Sequence, residues 1–367
     1  MSINMSSSKV DFAAVMMIAP PVFSDEHVRS ILREHYSIDG EFELLSGERD
    51  LNYRVVMPAG EKRLLKIANS AEDRQVTNFQ TRAFMHIAEA DPDFPLCRVL
   101  LSNEGEPEVE ATNENGKKHI VRMFSWLEGV PLLSIENRPD NPEQMGEYLG
   151  RMGLALRDYS HPAEDNVLLW DLKHAASLAD QLDYIDDETL QVFCRQQMKR
   201  FIEHTSPALG KLRSQVIFND QNPSNTMVDA NKPEIVTGFI DFGDMVKSPL
   251  VIDVATAVVY WCNASQQPLA DVARFLKGYT SVLPLLDEEL ALLPDVILAR
   301  AMIQTTIYHW RAKHFPENRK YIMRNLTKAR EAMQALSSMD RNEAFQIFKN
   351  ACTPNPNQYQ IRGRNEQ

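Results

Sequence analysis

Three polar residues follow short strand-like segments in the second half of the chain, and their types and spacing suit phosphoryl transfer. Asp220 follows the segment 215–218, Asn225 comes five positions later, and Asp241 lies at the end of the segment 234–240. A carboxylate can orient an attacking hydroxyl and accept its proton, while an amide and a second carboxylate supply the hard oxygen ligands that Mg²⁺ prefers. These roles are predicted for the three residues in that order. Taken singly, each residue is also typical of a turn or a cap.

The elements before residue 125 predict a small antiparallel sheet accompanied by helices. One amphipathic helix is expected after the N-cap residue Ser24 and ends at Gly40, and a second is expected from Ser70 to about Ala90. Alternating apolar residues and turn signals predict the strands: three between 41 and 67, one at 96–101 and one at 118–124.

After residue 129 the pattern becomes mostly helical, interrupted by a small insert of strands. Amphipathic stretches predict helices at 145–159, 190–203, 269–282, 288–311 and 318–336. The strands of the insert lie between residues 215 and 240, and the three polar residues follow the first and last of these strands. The predicted organisation is a loosely packed leader (1–23), a first lobe (24–124), a hinge (125–131), a helical second lobe (132–353) and a frayed tail (354–367).

Composition limits the function classes further. The chain has 367 residues, with 39 Lys and Arg against 51 Asp and Glu, so its net charge is −12. This charge disfavours nucleic acid and anionic lipid as partners and suits small neutral or cationic molecules. The apolar run 12–18 is too short to span a membrane. Four dispersed cysteines without a C-x-x-C pair predict neither a zinc site nor a disulfide framework, so a reducing, cytoplasmic location is expected.

The loop from Asp220 to Asn225 and the sequence I-D-F-G-D at 240–244 resemble the aminoglycoside phosphotransferase and choline kinase superfamily. Similarity is closest to its hydroxylysine-kinase-like branch, some members of which are fused to class III aminotransferases. The segments 46–53, 170–172 and 241–253 carry this closer resemblance. The likeness extends from about residue 24 to about residue 324.

The resemblance implies an α+β, protein-kinase-like fold with two lobes, a small antiparallel-sheet lobe and a larger, mostly helical lobe. The implied reaction moves the γ-phosphoryl group of ATP, with Mg²⁺, to a hydroxyl of an amine-bearing metabolite such as hydroxylysine. Homoserine, choline, ethanolamine and aminoglycosides are alternative acceptors within the class.

A catalytically inactive nucleotide-binding or partner-binding protein is the alternative from another class. Its support lies in departures from the family pattern. Phe218 and Asn219 stand where His and Gly are common, and Gln80 stands where a helix acid would be the natural partner of a phosphate-binding lysine. An amide can accept a hydrogen bond from an ammonium but supplies no charge.

The resemblance also implies residues for the nucleotide. Lys66 matches the phosphate-binding lysine of the third strand, and its neighbours on the strand point to the opposite face. The glycine-containing loop, residues 46–53, would lie over the phosphates with Gly47, Arg49 and Asn52, although a single glycine is equally typical of a hairpin turn. The backbone of the segment joining the lobes, which includes Phe124 and Trp126, would bind adenine.

Aromatic and acidic residues of the helical half are candidates for an acceptor pocket. Trp170, Asp171, Asp244 and Tyr260 could bind an amine through cation–π contacts and ion pairs. Aromatic residues at helical spacing are also typical of a core. The sequence therefore predicts these residues as acceptor ligands without deciding between the two roles.

Overall fold

The computed structural model describes residues 20–45, 47, 49–261, 267–337 and 339–352, and the chain divides into two units. The first unit contains the described residues up to Met85 together with Cys97–Trp126, and the second contains His86–Leu96 and the residues from Leu127 onward. The segment His86–Leu96, included in the predicted first lobe, therefore groups with the second unit. Most of the predicted leader and all of the predicted tail lie outside the described residues.

An antiparallel sheet of six strands forms the centre of the first unit. The elements of this unit are α1 (Asp25–Tyr36), β1 (Glu41–Leu45), β2 (Leu51–Val56), β3 (Lys62–Ile67), α2 (Arg74–Ala90, which continues into the second unit), β4 (Val99–Leu100), β5 (Val109–Thr112) and β6 (Lys118–Ser125). The strands follow the order β1-β2-β3-β6-β4 in the sheet. Strand β5 lies on the same side of β6 as β4 and pairs with the other end of β6.

The two faces of this sheet carry different side chains because successive residues of a strand point in opposite directions. Leu65 and Ile67 of β3 are buried in an apolar cluster with Val28 and Ile31 of α1. Lys66, between them, points to the other face. Phe23, assigned by the sequence to the leader, is also part of this cluster.

Helix α2 begins at Arg74 and not at Ser70, and the local hydrogen bonds explain the difference. The side chain of Asn69 accepts a hydrogen bond from the backbone of Ala71, and Asp73 accepts one from Gln75 at 2.8 Å, so two Asx turns precede the helix. Of the predicted strand 96–101 only Val99–Leu100 forms, and β5 was not predicted.

The second unit is mostly helical and contains two small antiparallel sheets. Its strands are β7 (Val130–Pro131), β8 (Ser214–Ile217), β9 (Thr226–Val228), β10 (Val236–Phe239) and β11 (Val246–Pro249). They pair in the orders β10-β9-β7 and β11-β8. Its helices are α3 (Pro142–Ala155), α4 (Glu188–Arg200), α5 (Ser206–Leu209), α6 (Leu250–Trp261), α7 (Pro268–Val282), α8 (Asp287–His314), α9 (Arg319–Ile322), α10 (Leu326–Ser337) and α11 (Arg341–Ala351), with a short 3₁₀ helix at Leu172–Leu178.

Close helix packing and two buried helices build the core of the second unit. Helices α3 and α7 approach so closely that a side-chain carbon at Gly278 would lie 1.8 Å from the carbonyl oxygen of Glu143, which only glycine avoids. Helix α6 is buried from Leu250 to Val259, and most of α8 is buried as well. The predicted helix 318–336 is divided into α9 and α10 by a 3₁₀ turn.

Within the described residues, α8 is the one helix whose length and hydropathy would suit a membrane span. However, 83% of its most apolar window is buried inside the protein, as expected for a core helix.

Candidate active site

The loop that follows β8 begins with two residues whose conformations orient Asp220. Phe218 is fully buried, and its ring centroid lies 4.7 Å from that of Phe242. Asn219 has a positive φ of 61°, a left-handed conformation that favours glycine and is tolerated by asparagine. Asn219 can therefore replace the glycine of the family pattern without straining the backbone. Phe218, which replaces the histidine, fills the core beneath the loop.

Asp253, in the first turn of α6, anchors this loop. Its Oδ1 accepts a hydrogen bond from the backbone N–H of Asn219 at 2.8 Å, and its Oδ2 accepts a longer one from Phe218 at 3.4 Å. Burial raises the pKa of Asp253 to about 7, and the two N–H donors partly oppose that rise. The sequence analysis did not assign Asp253 a role, although it is the one charged residue between Leu250 and Val259, a stretch that is apolar apart from Asp253 and Thr256.

The Asp220 carboxylate is held by the two asparagines that follow it. Asn222 donates from Nδ2 to Asp220 Oδ1 at 2.8 Å, and Asn225 donates from Nδ2 to Asp220 Oδ2 at 2.5 Å. Part of Asp220 reaches solvent, but its carboxyl group lies deep among protein atoms. Burial raises its pKa well above the ordinary value, and the charges of Asp244 and Asp241 raise it further. Such a carboxylate is a stronger base than an exposed one.

Asn225 and Asp241 are brought together by the strands that precede and follow them. The backbone carbonyl of Asn225 accepts a hydrogen bond from the N–H of Ile240 at 3.0 Å, directly before Asp241. Because the Asn225 amide nitrogen faces Asp220, its oxygen points elsewhere. Asp241 is exposed, has a positive φ of 63°, and within the described residues forms no ion pair. Two oxygen donors without a competing cation fit a hard divalent metal.

A site built only from acidic, histidine or cysteine side chains is not present in the described ranges, because no group of three or more such residues has the arrangement of a metal site. The amide oxygen of Asn225 is a metal ligand of another kind, and the phosphate oxygens of a nucleotide would complete the coordination of a kinase metal ion. The pair Asn225 and Asp241 therefore fits a metal shared with the nucleotide better than a metal held by protein ligands alone.

Asp244 and Tyr260, two of the four predicted acceptor ligands, lie within electrostatic reach of Asp220, and Trp170 contacts Arg300, whose charge also acts on Asp220. The charges of Asp220 and Asp244 both raise the pKa of the buried Tyr260 hydroxyl, although burial is the larger cause. The ring of Trp170 lies 6.2 Å from that of Tyr308. Tyr308 is also one of the groups whose charge raises the pKa of Tyr260.

Asp171 has a different position and fully buried surroundings. Its Oδ1 accepts hydrogen bonds from the backbone N–H of Lys173 at 3.0 Å and from Ser248 Oγ at 3.1 Å. Its side chain has no exposed surface. The structure thus gives Asp171 the role of N-cap of the 3₁₀ helix Leu172–Leu178, while its predicted contact with an acceptor stays a prediction.

A row of three polar residues crosses one face of the sheet in the first unit. Lys66 of β3 pairs in register with Asn52 of β2 and with Arg122 of β6, so their side chains share that face. The Lys66 ammonium lies 3.7 Å from Oδ2 of Asp50. Asp50 is therefore the acidic partner of Lys66 that the sequence did not identify.

Gln80 has another partner than the lysine. Its Oε1 accepts a hydrogen bond from Nη1 of Arg122 at 3.2 Å, and Arg122 Nη2 lies 3.9 Å from Asp50 Oδ2. Arg122 is 1% exposed and was not predicted as a site residue. The helix position where an acid was expected thus carries an amide because it faces a buried guanidinium that already has an acid nearby.

The glycine-containing loop 46–53 is described at Gly47 and from Arg49 onward. A side-chain carbon at Gly47 would lie 2.7 Å from both Asn52 Nδ2 and the carbonyl oxygen of Asp50, so the turn requires glycine. Arg49 is exposed, and its carbonyl accepts a hydrogen bond from Asn69 Nδ2 at 3.1 Å. The loop is therefore closed by contacts around one glycine, and its phosphate contacts stay a prediction.

The two residues predicted to bind adenine through the backbone differ in position. Phe124 is buried against Phe84 at a centroid distance of 5.2 Å, and its backbone lies between β3 and β4 within the sheet. Trp126 follows the last residue of β6 and is part-buried. Of these two residues, Trp126 is the one whose backbone is not paired with another strand.

Comparison with known proteins gives the family. The model of the family described as "Phosphotransferase enzyme family" matches residues 42–288, more than half of the chain, and the chain belongs to this family. It is a phosphotransferase, a small-molecule kinase, and its fold is the protein-kinase-like fold predicted from the sequence.

Individual relatives agree with the predicted branch. The chain is 23% identical to hydroxylysine kinase from Mus musculus over 352 residues, which cover 90% of this chain and 93% of that protein. It is 27% identical to homoserine kinase from Methylobacillus flagellatus over 264 residues, covering 71% and 76% of the two chains. A solved amicoumacin kinase in complex with AMP-PNP and Ca²⁺ has a TM-score of 0.66 at 15% identity, with 88% of this chain and 97% of that chain covered. The superfamily and the hydroxylysine-kinase-like branch are thereby confirmed.

Proposed function

We propose that the protein transfers the γ-phosphoryl group of ATP, with Mg²⁺, to a hydroxyl group of a small amine-bearing metabolite, and that hydroxylysine is the first candidate. The observation that carries this proposal is the Asp220 carboxylate, which two asparagines hold at 2.5 and 2.8 Å on a loop anchored by Asp253. A fixed carboxylate of raised pKa suits a group that orients a hydroxyl and takes its proton during transfer.

The remaining roles follow from the chemistry of each side chain. Asn225 and Asp241 would hold the metal ion, which when bound neutralises charge on the phosphates. In the first unit, Lys66 would bind nucleotide phosphates, since its ammonium is only loosely paired with Asp50 at 3.7 Å. Its side chain is 27% exposed, so a phosphate can reach it.

Charge around Asp220 supports an acceptor that carries an amine. Asp220, Asp241 and Asp244 are close enough for two of them to raise the pKa of the third. Such a cluster creates a negative potential that favours a protonated amine over a neutral or anionic alcohol. The relative named hydroxylysine kinase, which aligns over 90% of this chain, makes hydroxylysine the first choice.

The two departures that favoured an inactive protein have structural explanations. Phe218 fills the core beneath the loop by packing on Phe242, and Gln80 accepts a hydrogen bond from Arg122. Neither removes a group from the set formed by Asp220, Asn225 and Asp241. We therefore favour an active enzyme over a binding protein.

An acceptor screen tests this proposal. ADP release by the purified full chain with MgATP would be measured with hydroxylysine, homoserine, ethanolamine, choline and kanamycin. We expect the highest kcat/KM with hydroxylysine. Preference for kanamycin, or for an alcohol without an amine, would overturn the acceptor class, and the lack of acceptor-dependent ADP release in the whole panel would overturn the kinase proposal.

Thermal melting tests the metal ligands independently of turnover. A ligand that binds only the folded state at a hundredfold excess over its Kd stabilises it by about 2.7 kcal/mol. We expect MgATP to raise the Tm of the wild type more than ATP with EDTA does, and Asp241→Ala to remove that difference. An equal response to ATP with and without Mg²⁺ in the wild type would show that Asp241 is not a metal ligand.

A further inference from the structure

Helix α8 carries a stripe of polar side chains inside the second unit. Arg300, Gln304 and Tyr308 follow one another at four-residue intervals, so they lie along one face of the helix. Arg300 and Gln304 are each 2% exposed, and Tyr308 is 9% exposed. Burying a guanidinium and an amide is costly unless each finds partners. The hydrogen-bond and ion-pair partners of these three residues therefore indicate whether they only stabilise the fold or leave polar groups for a ligand.

Arg300 lacks a charged partner. Its Nη1 donates to the backbone carbonyl of Trp170 at 2.8 Å, and its guanidinium carbon lies 5.2 Å from the centre of the Trp170 ring. Its Nε has no hydrogen-bond partner, and in the described part of the chain no acidic side chain lies within ion-pair distance of it. The guanidinium is thus oriented by Trp170 but keeps donor capacity and an uncompensated charge.

The same guanidinium lies within electrostatic reach of the proposed base. Its charge acts on Asp220 and on the Tyr260 hydroxyl, opposing the rise in the pKa of both. It is not close enough to Asp220 for an ion pair. Arg300 is therefore a buried cation within electrostatic reach of Asp220, the residue proposed to act on the acceptor hydroxyl, and it is distinct from the acidic residues that would attract an amine.

Gln304, one helical turn further along α8, has an unpartnered hydrogen-bond acceptor where Arg300 has an unpartnered donor. Its Nε2 donates to the hydroxyl of Tyr308 at 2.7 Å and to that of Tyr260 at 3.3 Å. Those two contacts fix the amide, and its Oε1 is buried without a partner. A turn of helix rises about 5.4 Å, so the residue with the unpartnered donor and the residue with the unpartnered acceptor lie about one turn apart along α8.

We propose that the acceptor is a hydroxy amino acid bound as a zwitterion, whose carboxylate binds the Arg300 guanidinium and whose α-ammonium donates to Gln304 Oε1. The proposal rests on the kinase function proposed above and selects among its acceptors. A guanidinium matches a carboxylate geometrically and in charge, and the pair is stronger when it is shielded from water. Amino alcohols that lack a carboxylate leave Arg300 unpaired and are poorer acceptors.

Matched pairs of acceptors test the carboxylate without altering the protein. Hydroxylysine would be compared with the diaminopentanol obtained by removing its carboxylate, and homoserine with the aminopropanol obtained in the same way. We expect kcat/KM for the better amino acid to exceed that of its decarboxylated partner by about 10²-fold, the typical effect of a buried charged hydrogen-bond partner. Equal kcat/KM within both pairs would overturn the proposal.

The variant Arg300→Met tests the residue. Methionine is apolar and flexible, so it suits a buried position. We expect the ratio of kcat/KM for the amino acid to that for its decarboxylated partner to fall by about 10²-fold, because the effect of the lost charge on Asp220 acts on both acceptors alike. An equal loss for both members would show that Arg300 only supports the fold. Arg300→Lys, which keeps the charge without the planar fork, should retain part of the preference if Arg300→Met does not fold.

Arg341→Met is the matched control. Arg341 donates to the carboxylate of Asp295 at 2.9 Å and so already has an acidic partner in the same unit. This variant should leave the ratio of the two acceptors unchanged, and a changed ratio would overturn the assignment to Arg300.

Calorimetric titration of both acceptors into the protein with AMP-PNP and Mg²⁺ separates this inference from the proposed function. Tighter binding of the amino acid without any turnover would support Arg300 and overturn the kinase proposal. Turnover with equal affinities and equal kcat/KM would support the kinase proposal and overturn the role of Arg300.

Discussion

The polar groups around Asp220 in the second unit and those around Lys66 in the first unit are organised in different ways. Asp220 accepts two side-chain hydrogen bonds of 2.5 and 2.8 Å. Lys66 and Arg122 instead share the Asp50 carboxylate at 3.7 and 3.9 Å, distances of ion pairs without hydrogen bonds. A group that takes a proton must be held within a few tenths of an ångström, whereas cations that attract phosphates act through charge at longer range.

The two fully buried arginines sharpen this comparison. Each guanidinium lies near an aromatic ring, Arg122 at 5.9 Å from Phe124 and Arg300 at 5.2 Å from Trp170. Arg122 has an acid within ion-pair distance and Arg300, among the described residues, does not. A buried cation that the protein neutralises contributes to its fold, while one left without an acid is suited to an anionic group of a ligand.

The largest effect is expected at Asp220. Asp220→Asn should lower kcat by about 10²–10⁴ and leave the KM for ATP nearly unchanged, because the carboxylate acts on the acceptor hydroxyl and not on the nucleotide. Steady-state kinetics with both substrates varied would measure this. Asp229→Asn is a matched control, since Asp229 accepts backbone hydrogen bonds in a turn at 2.7 and 2.9 Å and asparagine keeps that acceptor. Wild-type turnover of Asp220→Asn would end the assignment.

A pH effect on stability is expected from Asp253. Its pKa is about 7 in the folded protein and about 3.9 in an unfolded chain, so the folded protein holds the proton more tightly. The stabilisation is therefore present below about pH 4 and is lost as the pH rises towards 7, by up to ~4 kcal/mol. The variant Asp253→Asn lacks this pH-dependent loss of stability. Asp220, whose pKa is also raised, makes the same pH-dependent contribution to the stability of the wild type and of the variant.

Urea unfolding of the wild type and of Asp253→Asn at several pH values between 4.5 and 8 measures that difference. The free energy of unfolding of the wild type should fall by ~2–4 kcal/mol more than that of the variant across this range. Parallel curves would show that Asp253 is ionised throughout and that its hydrogen bonds to the loop outweigh its burial.

A substitution in the Lys66 cluster should alter nucleotide binding rather than turnover. We expect Lys66→Met to raise the KM for ATP by about 10–10²-fold, the usual value of a charged hydrogen bond, and to change the acceptor KM much less. Lys118→Met removes an exposed lysine that is paired with Glu110 at 2.7 Å and should change neither constant. An unchanged KM for ATP in Lys66→Met would mean that the lysine serves only the Asp50 ion pair.

The smallest effect distinguishes the two buried arginines by stability. Arg122→Met leaves Gln80 Oε1 without its hydrogen-bond donor and Asp50 with Lys66 as its one remaining cation among the described residues, so it should lower the free energy of unfolding by ~1–2 kcal/mol. Arg300→Met removes a cation that has no acidic partner and should change it by less than ~0.5 kcal/mol or stabilise the protein. Urea unfolding without ligands measures both, and an equal loss in the two variants would erase the distinction between them.

Local sequence patterns were sufficient for much of the fold, and they selected the residues proposed for the centre of the site. Alternation predicted β2 and β3, and the buried neighbours of Lys66 placed its side chain on the other face of the sheet. The strand β5 was not predicted because Glu110 and Ala111 are poor strand formers, and its pairing with β6 overrides that preference. The start of α2 was misplaced because Asn69 and Asp73 form turns that compete with the helix.

The sequence by itself selected the three residues proposed to carry the chemistry, since Asp220, Asn225 and Asp241 lie on adjoining loops whose spacing is visible along the chain. Only the tertiary structure decided what supports them. Asp253 reaches a backbone 34 residues away, and Trp170 meets the Arg300 guanidinium 130 residues further along the chain. Contacts between distant segments leave no periodic signal, because they depend on how helices and strands pack rather than on the conformation of neighbouring residues.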